Sequence, residues 1–170
     1  MKNEEAVTKT YNNLQSDYQR RLELIPNLVA VVRGSTEYER ETLLKLVEAR
    51  AKAGQIISAT KVSADTYNKT EQVQAEVASS ANRLIATIEK YPDLKTDKSF
   101  IRLQDQLEGT ERRIKFSRKD FNDAVALYNK QVRSFPKNIA AKLFGFNLKE
   151  GFKADAGTDN APEIDFNTKY

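Results

Sequence analysis

The side chains that could do chemistry in this chain of 170 residues are carboxylates, serines and lysines, because histidine and cysteine are absent. Without histidine the chain lacks the usual general base at neutral pH, the Ser-His-Asp triad and the Glu-x-x-His pairs of di-iron bundles. Without cysteine it has no disulfide, no thiol chemistry and no cysteine-based metal site. No glycine run has the spacing of a phosphate-binding loop. We therefore predict no catalytic residue, no metal site and no cofactor.

Two groups of polar residues still have to be weighed as reactive sites. Glu37, Glu39 and Glu41 could together bind a hard cation, but carboxylates at a helix start also complement the helix dipole, and we favour that role. Ser117 stands two residues before Lys119, and a Ser-Lys nucleophile would require a lysine whose pKa is lowered by burial. Both residues belong to a stretch dense in charge, so a structural role for Ser117 in the helix seam is the better interpretation.

The most basic stretch covers residues 111–137, with eight basic and three acidic residues and a net charge of +5. A solvated helix face with ion pairs one turn apart would explain it. The alternative is contact with anionic lipid headgroups, for which the candidates are Arg112, Arg113, Lys115, Arg118 and Lys119. The whole chain has 28 basic and 24 acidic residues, so its surface is mixed and we predict no nucleic-acid binding.

Four segments repeat apolar residues every three or four positions, which predicts helices at residues 5–33, 37–60, 64–91 and 97–135. No strand pattern competes, and no apolar run approaches the length of about 18 residues that a membrane span needs. We predict an all-α fold, an elongated antiparallel up-and-down four-helix bundle over residues 5–136. Gly34, with a capping box at Thr36 and Glu39, divides the first two helices, although a single bent helix is an alternative. Asp97 is expected to cap the last long helix.

Aromatic residues recur mostly at the spacing of the helix seams, and we expect them in the core: Tyr11, Tyr18, Phe116, Phe121, Tyr128 and Phe135. After Pro136, residues 137–152 form a short amphipathic aromatic segment that we place at the end of the bundle. Its residues Leu143, Phe144 and Phe146 either cap the open end of the bundle or form an interfacial element that enters lipid or binds a partner. Residues 153–170 are expected to be a polar tail.

Pro26 interrupts the first apolar stripe, within RRLELIPNLVAVVRG. A proline there removes one N–H bond and crowds the carbonyl group of Leu22, at a cost of about 3 kcal/mol in a helix interior. One interpretation is that Pro26 bends a long helix so that its stripe follows the neighbouring helices, with Asn27 bonding a freed group. The other is that the Leu22 carbonyl and Asn27 form a recognition spot for a peptide or partner helix. We favour the bend and keep the second interpretation open.

Five blocks of the sequence resemble the LemA family of bacterial proteins: YQRRLELIPNLVAVVRG, YPDLK, LQDQLEGTERRI, RKDFNDAVALYN and RSFPKNIAAKLFGF. They occur in the family's order and cover roughly residues 11–152. The chain departs from the family in having Tyr11 where tryptophan is usual and Phe121 where tyrosine is usual. The residues around Arg112 and Lys115 are also more basic than is typical.

The resemblance implies a membrane helix just upstream of the matching region, followed by a long helical bundle outside the cytoplasm, with no catalytic residues to transfer. A lipid anchor upstream is the alternative. The function so implied is that of a non-enzymatic, membrane-anchored interaction or scaffold protein of the bacterial envelope. Its partners would be other membrane or envelope proteins, with lipid headgroups as further contacts and no small-molecule substrate.

Two alternatives to the scaffold function remain. The first is a module that binds a small ligand or peptide in a groove between helices, near Pro26 or near Phe144 and Phe146; an apolar pocket of several hundred Å³ would favour it. The second is an enzyme using carboxylates or a Ser-Lys pair, which a buried carboxylate pair with raised pKa would favour.

Overall fold

The computed structural model describes residues 2–34, 40–57 and 64–152, which contain six helices and no strand. The helices are α1 (Lys2–Arg33), α2 (Arg40–Ile57), α3 (Ala64–Ile88), α4 (Pro92–Lys95), α5 (Lys98–Arg133) and α6 (Lys137–Leu143). The predicted all-α class is therefore confirmed. The capping box at Thr36 and Glu39, the ends of the second predicted helix and the tail 153–170 lie outside the described residues.

The helix ends follow local chemistry. The helix predicted to reach residue 91 ends at Ile88, and Pro92 occupies the first position of the short helix α4, where its missing N–H costs nothing. Asp97 caps α5 as predicted, because its carboxylate accepts hydrogen bonds from the backbone N–H groups of Ser99 at 2.8 Å and Phe100 at 3.0 Å.

The long helices pack in opposite chain directions. Along α1 and α5, Asp17 contacts Ser117 while Arg21, further along α1, contacts Glu111, which is earlier in α5. The α2 helix packs against α3, and α1 also contacts α2. The Nε atom of Arg50 lies 3.1 Å from the Leu22 carbonyl oxygen, across 28 residues of chain. A single helix of that length would separate them by about 40 Å, so α1 and α2 are two helices and not one bent helix.

The apolar core consists of two clusters. The aliphatic cluster contains mainly Leu, Ile, Val and Ala side chains from α1, α2, α3 and α5, together with Leu94 and Phe100. The aromatic cluster contains four tyrosines and two phenylalanines among its members, which are Val7, Tyr11, Leu14, Tyr18, Tyr67, Ile114, Phe121, Ala124, Val125, Tyr128 and Phe152.

A layer of polar residues, contributed by three helices, separates the two clusters. It consists of Arg21 on α1, Thr70 and Gln74 on α3, and Thr110 and Glu111 on α5. Arg21 is only 2% exposed, and its guanidinium donates to Glu111 Oε1 at 2.7 Å, to the Gln74 carbonyl at 2.8 Å and to the Gln74 side chain. Two of the three guanidinium nitrogens have these partners, which offset much of the cost of burying the charge.

Two of the aromatic residues predicted to lie in the core are exposed. Phe116 is 67% exposed because it lies two positions after the buried Ile114, which places it on the opposite side of α5. Phe135 is 81% exposed because α5 ends at Arg133, so the helical phase of the stripe no longer applies to it. The other four predicted aromatics, Tyr11, Tyr18, Phe121 and Tyr128, are buried as expected.

Candidate functional site

The chain turns back after α6 by a glycine-dependent helix end. Gly145 has a φ of 72°, a left-handed conformation that costs glycine little. The N–H of Phe146 donates to the Ala141 carbonyl at 2.9 Å, the six-residue bond of a Schellman motif. This motif ends α6 and directs residues 146–152, the return segment, back along α5.

Two asparagines of α5 hold the return segment through its backbone. Asn129 donates to the Lys149 carbonyl at 2.7 Å and accepts from the Lys149 N–H at 2.9 Å. Asn122 makes the same pair of bonds with Phe152, at 3.1 and 2.8 Å. The two asparagines are seven residues apart, so they lie on one face of α5. Each side-chain amide pairs with both the N–H and the carbonyl group of one residue of the return segment, as a residue of a neighbouring strand would.

The return segment ends inside the aromatic cluster. The ring of Phe152 lies 5.3 Å from that of Phe121 and 6.1 Å from that of Tyr67, measured between centroids. Gly151 permits this approach, because a Cβ atom there would lie 2.7 Å from Asn122 Oδ1. The structure therefore ties the end of the return segment to the core, whereas Ala141 is the one buried residue among the α6 side chains that the structure describes.

The outer face of α6 and its flanks expose four large apolar side chains, which we call the apolar tip. Ile139 and Leu143, one turn apart on α6, are 62% and 81% exposed, and Phe135 and Phe144 are 81% and 67% exposed. The interpretation that Leu143 and Phe144 cap the open end of the bundle is therefore wrong, because a cap would be buried. Phe146 is half-buried and does not belong to the tip.

Behind the tip lies an apolar groove of about 360 Å³, which is bounded by the first turn of α1, the last turns of α5, and α6. Its apolar walls include Tyr128, Val132, Ala141, Phe144 and Phe146, and its rim carries Asn3, Glu4, Gln131 and Lys137.

The rim of the groove carries a small charged group. Lys149 Nζ lies 3.5 Å from Glu4 Oε1 and 5.3 Å from the centroid of the Tyr128 ring. Burial raises the pKa of the Tyr128 hydroxyl, with the nearby Glu4 carboxylate adding to the rise, and the hydroxyl donates to the Asn147 carbonyl at 3.0 Å. These contacts join the start of α1 to the return segment.

At Pro26, the structure answers the question of the freed carbonyl. The α1 helix runs through Pro26, and the Leu22 carbonyl accepts its hydrogen bond from Arg50 of α2. Pro26 and Asn27 are exposed. The bond comes from a neighbouring helix and not from Asn27 or an outside partner, which weakens the recognition interpretation. The bend itself stays a prediction.

The basic candidates on α5 divide into two groups. Arg112, Arg113, Lys115 and Lys119 are exposed. Arg118 is half-buried, forms an ion pair with Glu71 of α3 and lies 5.5 Å over the ring of Phe152, so it links α3, α5 and the return segment. We therefore remove Arg118 from the candidate headgroup contacts.

The two other polar groups considered from the sequence are occupied by structural contacts. Ser117 Oγ donates to Asp17 Oδ2 at 2.6 Å, while Lys119 pairs with Asp123 at 2.7 Å, and the hydrogen bond to Asp123 raises the Lys119 pKa, so no Ser-Lys pair forms. Glu41 pairs with Lys45 at 2.5 Å, and that bond lowers the Glu41 pKa; Glu37 and Glu39 lie outside the described residues.

Metal ligation and membrane spanning are the two remaining roles that the described residues could have. No group of three or more His, Cys, Asp or Glu side chains in the described ranges is placed to hold a metal ion. Among the described helices, none combines the length and the apolar character that crossing a membrane requires.

Comparisons with known proteins point to one family. Residues 10–166 match the LemA family. Protein LemA of Metamycoplasma hominis is 23% identical over 151 residues, which is 87% of this chain and 65% of that protein. Magnetosome proteins MamQ 1 and MamQ 2 of Paramagnetospirillum magneticum are each 31% identical over 77 residues, 45% of this chain and 28% of theirs. The chain thus spans less than two thirds of the length of each of these relatives.

Proposed function

Because this chain belongs to the LemA family, we propose that it is a membrane-associated, non-enzymatic interaction protein of the bacterial envelope. In this proposal a segment upstream of residue 1 anchors the chain, and the helical bundle presents its surface to partner proteins outside the cytoplasm. The observation that carries the proposal is the exposed apolar tip beside the start of α1.

Contiguous exposed apolar surface supports an interaction role. Single exposed hydrophobic residues are ordinary, but a cluster of large ones rimmed by polar residues is typical of protein or membrane contacts. In the apolar tip four such residues lie within ten positions of chain.

The position of the tip supports a site near a membrane. Asn3 and Glu4, in the first turn of α1, line the same groove as Phe144. An anchor that precedes α1 would bring this end of the bundle, and with it the tip, next to the bilayer. Partners anchored in the same membrane would then meet the faces of α1 and α5 that adjoin the tip.

Fractionation and crosslinking of the full-length protein in native cells test the proposal. We expect it to remain in the membrane after alkaline carbonate extraction, and to be digested by protease added outside the cytoplasmic membrane. Crosslinking followed by mass spectrometry should enrich envelope proteins relative to an unrelated anchored bundle. Enrichment should fall for Leu143→Ser/Phe144→Ser and persist for the matched exposed pair Ile101→Ser/Phe116→Ser. Extraction by carbonate, or crosslinks no richer than the unrelated bundle gives, would contradict the proposal.

The groove favours a second candidate function, the binding of a small apolar ligand or peptide side chain. Its volume of about 360 Å³ and its apolar walls fall in the range of ligand pockets. The fluorescent probe anilinonaphthalene sulfonate should bind at one site, and Ala140→Trp, which fills the groove, should abolish that binding. Ala126→Trp, at an exposed position of α5 outside the groove, is the control. Equal probe binding by both variants would eliminate the groove as a ligand site.

A further inference from the structure

The stretch of sequence that contains the apolar tip carries positive charge and no negative charge. Residues 124–149 contain five basic residues and no acidic residue; the five are Lys130, Arg133, Lys137, Lys142 and Lys149. The whole chain has 28 basic and 24 acidic residues, so this one segment more than accounts for the net charge of +4. The remainder of the protein is close to neutral.

Three of these cations have exposed side chains and lie close to the tip in the chain. The side chains of Lys130, Arg133 and Lys137 are exposed, on the last turn of α5 and the first residue of α6. Lys149 is half-buried and paired with Glu4. The acids that flank the segment in sequence are Asp123, which pairs with Lys119, and Glu150, and Glu5 follows Glu4 at the start of α1. All three of Asp123, Glu150 and Glu5 are exposed.

We propose that the apolar tip inserts into the interfacial layer of an anionic lipid bilayer while Lys130, Arg133 and Lys137 contact the headgroup phosphates. The proposal rests on the proposed function, because it places the tip at a membrane, and it adds the class of ligand. Large apolar side chains next to lysine and arginine are typical of an interfacial membrane-binding element.

The same composition argues against a protein partner as the main occupant of the tip. Lysine is depleted from protein–protein interfaces, where its long side chain must be desolvated and ordered. At a bilayer surface the ammonium groups stay hydrated among the phosphates, while Ile139, Leu143 and Phe144 lose contact with water. A bilayer surface therefore provides favourable contacts both for the apolar side chains and for the cationic side chains of this segment.

Flotation of the purified 170-residue chain with lipid vesicles tests the proposal. The vesicles are phosphatidylcholine alone or phosphatidylcholine with about 30% phosphatidylglycerol. We expect binding to the phosphatidylglycerol vesicles, weaker binding to phosphatidylcholine alone, and a loss of binding between about 50 mM and about 300 mM salt as the charges are screened.

Two variants separate the apolar and the charged contributions, each with a matched control. Leu143→Ser/Phe144→Ser should lower the partition coefficient by about tenfold or more, and Ile101→Ser/Phe116→Ser should not change it. Lys130→Gln/Arg133→Gln/Lys137→Gln should lower it about a hundredfold, at about fivefold per charge. Lys90→Gln/Lys98→Gln/Arg102→Gln removes the same charge from exposed positions around the start of α5; it is the control and should change binding by less than about fivefold. Arg112→Gln/Arg113→Gln/Lys115→Gln tests the remaining headgroup candidates in the middle of α5, and it should lower binding less than the Lys130 triple variant does. Circular dichroism establishes that each variant keeps its helix content.

Several outcomes would overturn the lipid proposal. Binding that is absent from both kinds of vesicle does so, as does a larger loss from the Arg112 triple variant than from the Lys130 triple variant. Sedimentation showing a dimer that the Leu143→Ser/Phe144→Ser variant cannot form would assign the tip to a second copy of the chain. If the full-length protein stays in the membrane but the 170-residue chain does not bind vesicles, the lipid proposal is wrong and the proposed function is unaffected.

Discussion

The aliphatic cluster and the aromatic cluster lie on either side of the polar layer and are packed by different means. The aliphatic cluster is filled by side chains of helices, at positions that repeat every three or four residues. The aromatic cluster also receives Phe152, which arrives on a non-helical segment and meets the rings of Tyr67 and Phe121. One half of the core is therefore closed by helices alone, and the other half depends on the chain that follows α6.

This difference connects the core to the candidate site. The return segment that delivers Phe152 also carries Lys149 and the backbone that Asn122 and Asn129 hold. The apolar tip stands between α5 and this segment in the chain, so it is fixed at both ends. In the ranges that the structure describes, the aliphatic half has no comparable link to the tip, and mutations there should change stability without changing the site.

The largest expected effect tests the aromatic half directly. Phe121→Ala should lower the free energy of unfolding by about 4 kcal/mol, because a fully buried ring with neighbours on three sides leaves a cavity. Leu84→Ala in the aliphatic cluster should cost about 3 kcal/mol. Phe116→Ala, an exposed phenylalanine on the same helix, is the control. Urea unfolding measures all three, and an equal effect of Phe116→Ala and Phe121→Ala would contradict the described burial.

Removing the charge between the clusters should have the next largest effect. Arg21→Met leaves Glu111 without its partner, and we expect a loss of about 3 kcal/mol, at the low end for a broken buried pair because Glu111 is 39% exposed. Adding Glu111→Leu should recover part of the loss, because it removes the carboxylate left without its partner, while Thr70, Gln74 and Thr110 keep the layer polar. Arg20→Met, at the exposed neighbouring position, should be close to neutral. A double variant less stable than Arg21→Met would refute this account of the layer.

Loss of the ring that closes the aromatic half should act locally. Phe152→Ala should cost about 2 kcal/mol, less than Phe121→Ala because the return segment can detach while the helices stay folded. The Lys149 N–H, which donates to Asn129, should then exchange its hydrogen faster in a hydrogen-exchange measurement. Leu148→Ala removes a half-exposed side chain of the same segment and should leave that exchange rate unchanged. Retained protection in Phe152→Ala would show that the asparagines alone hold the segment.

Alkaline pH should weaken the aromatic half selectively. Burial raises the pKa of Tyr18 and of Tyr67 to about 12, so the folded state holds these protons more tightly than the unfolded state does. The free energy of unfolding should therefore be constant with respect to these groups below pH 10 and should fall between pH 10 and pH 12, by about 1.4 kcal/mol per pH unit for each tyrosine. Tyr67→Phe should reduce this slope in pH-dependent urea unfolding. Tyr91→Phe, beside the aliphatic cluster, serves as the control, and an equal reduction by both variants would contradict the prediction.

The smallest effect concerns the aliphatic half at Pro26. Arg50→Met removes the donor to the Leu22 carbonyl and should cost about 1 kcal/mol. In a Pro26→Ala background the restored N–H of residue 26 can donate to the same carbonyl, so Arg50→Met should then cost much less. A double-mutant cycle in urea measures this coupling. If Arg50→Met costs the same in both backgrounds, the proline does not explain the Arg50 contact.

The spacing of apolar residues predicted the helices well. It did not predict the buried polar contacts, because these depend on groups from distant parts of the same chain. Arg21 falls within a stripe of apolar residues, and its burial follows only from Gln74 and Glu111 on two other helices. Asn122 and Asn129 carry a usable signal, their spacing of seven, but their partners are backbone groups that no residue pattern marks. For Leu143 and Phe144 the sequence favoured a cap on the bundle and left an exposed element open, since an amphipathic segment suits both.

The order of residues along the chain was sufficient for the all-α class, for the helix cap at Asp97 and for the resemblance to the LemA family, because each depends on neighbours within a few positions or on an ordered set of short blocks. The tertiary structure alone decided that Arg50 satisfies the Leu22 carbonyl, that Phe152 closes the aromatic half and that Ile139 and Leu143 of α6 are exposed. Those outcomes depend on which groups from distant parts of the chain reach one another, and periodicity within one helix does not contain that information.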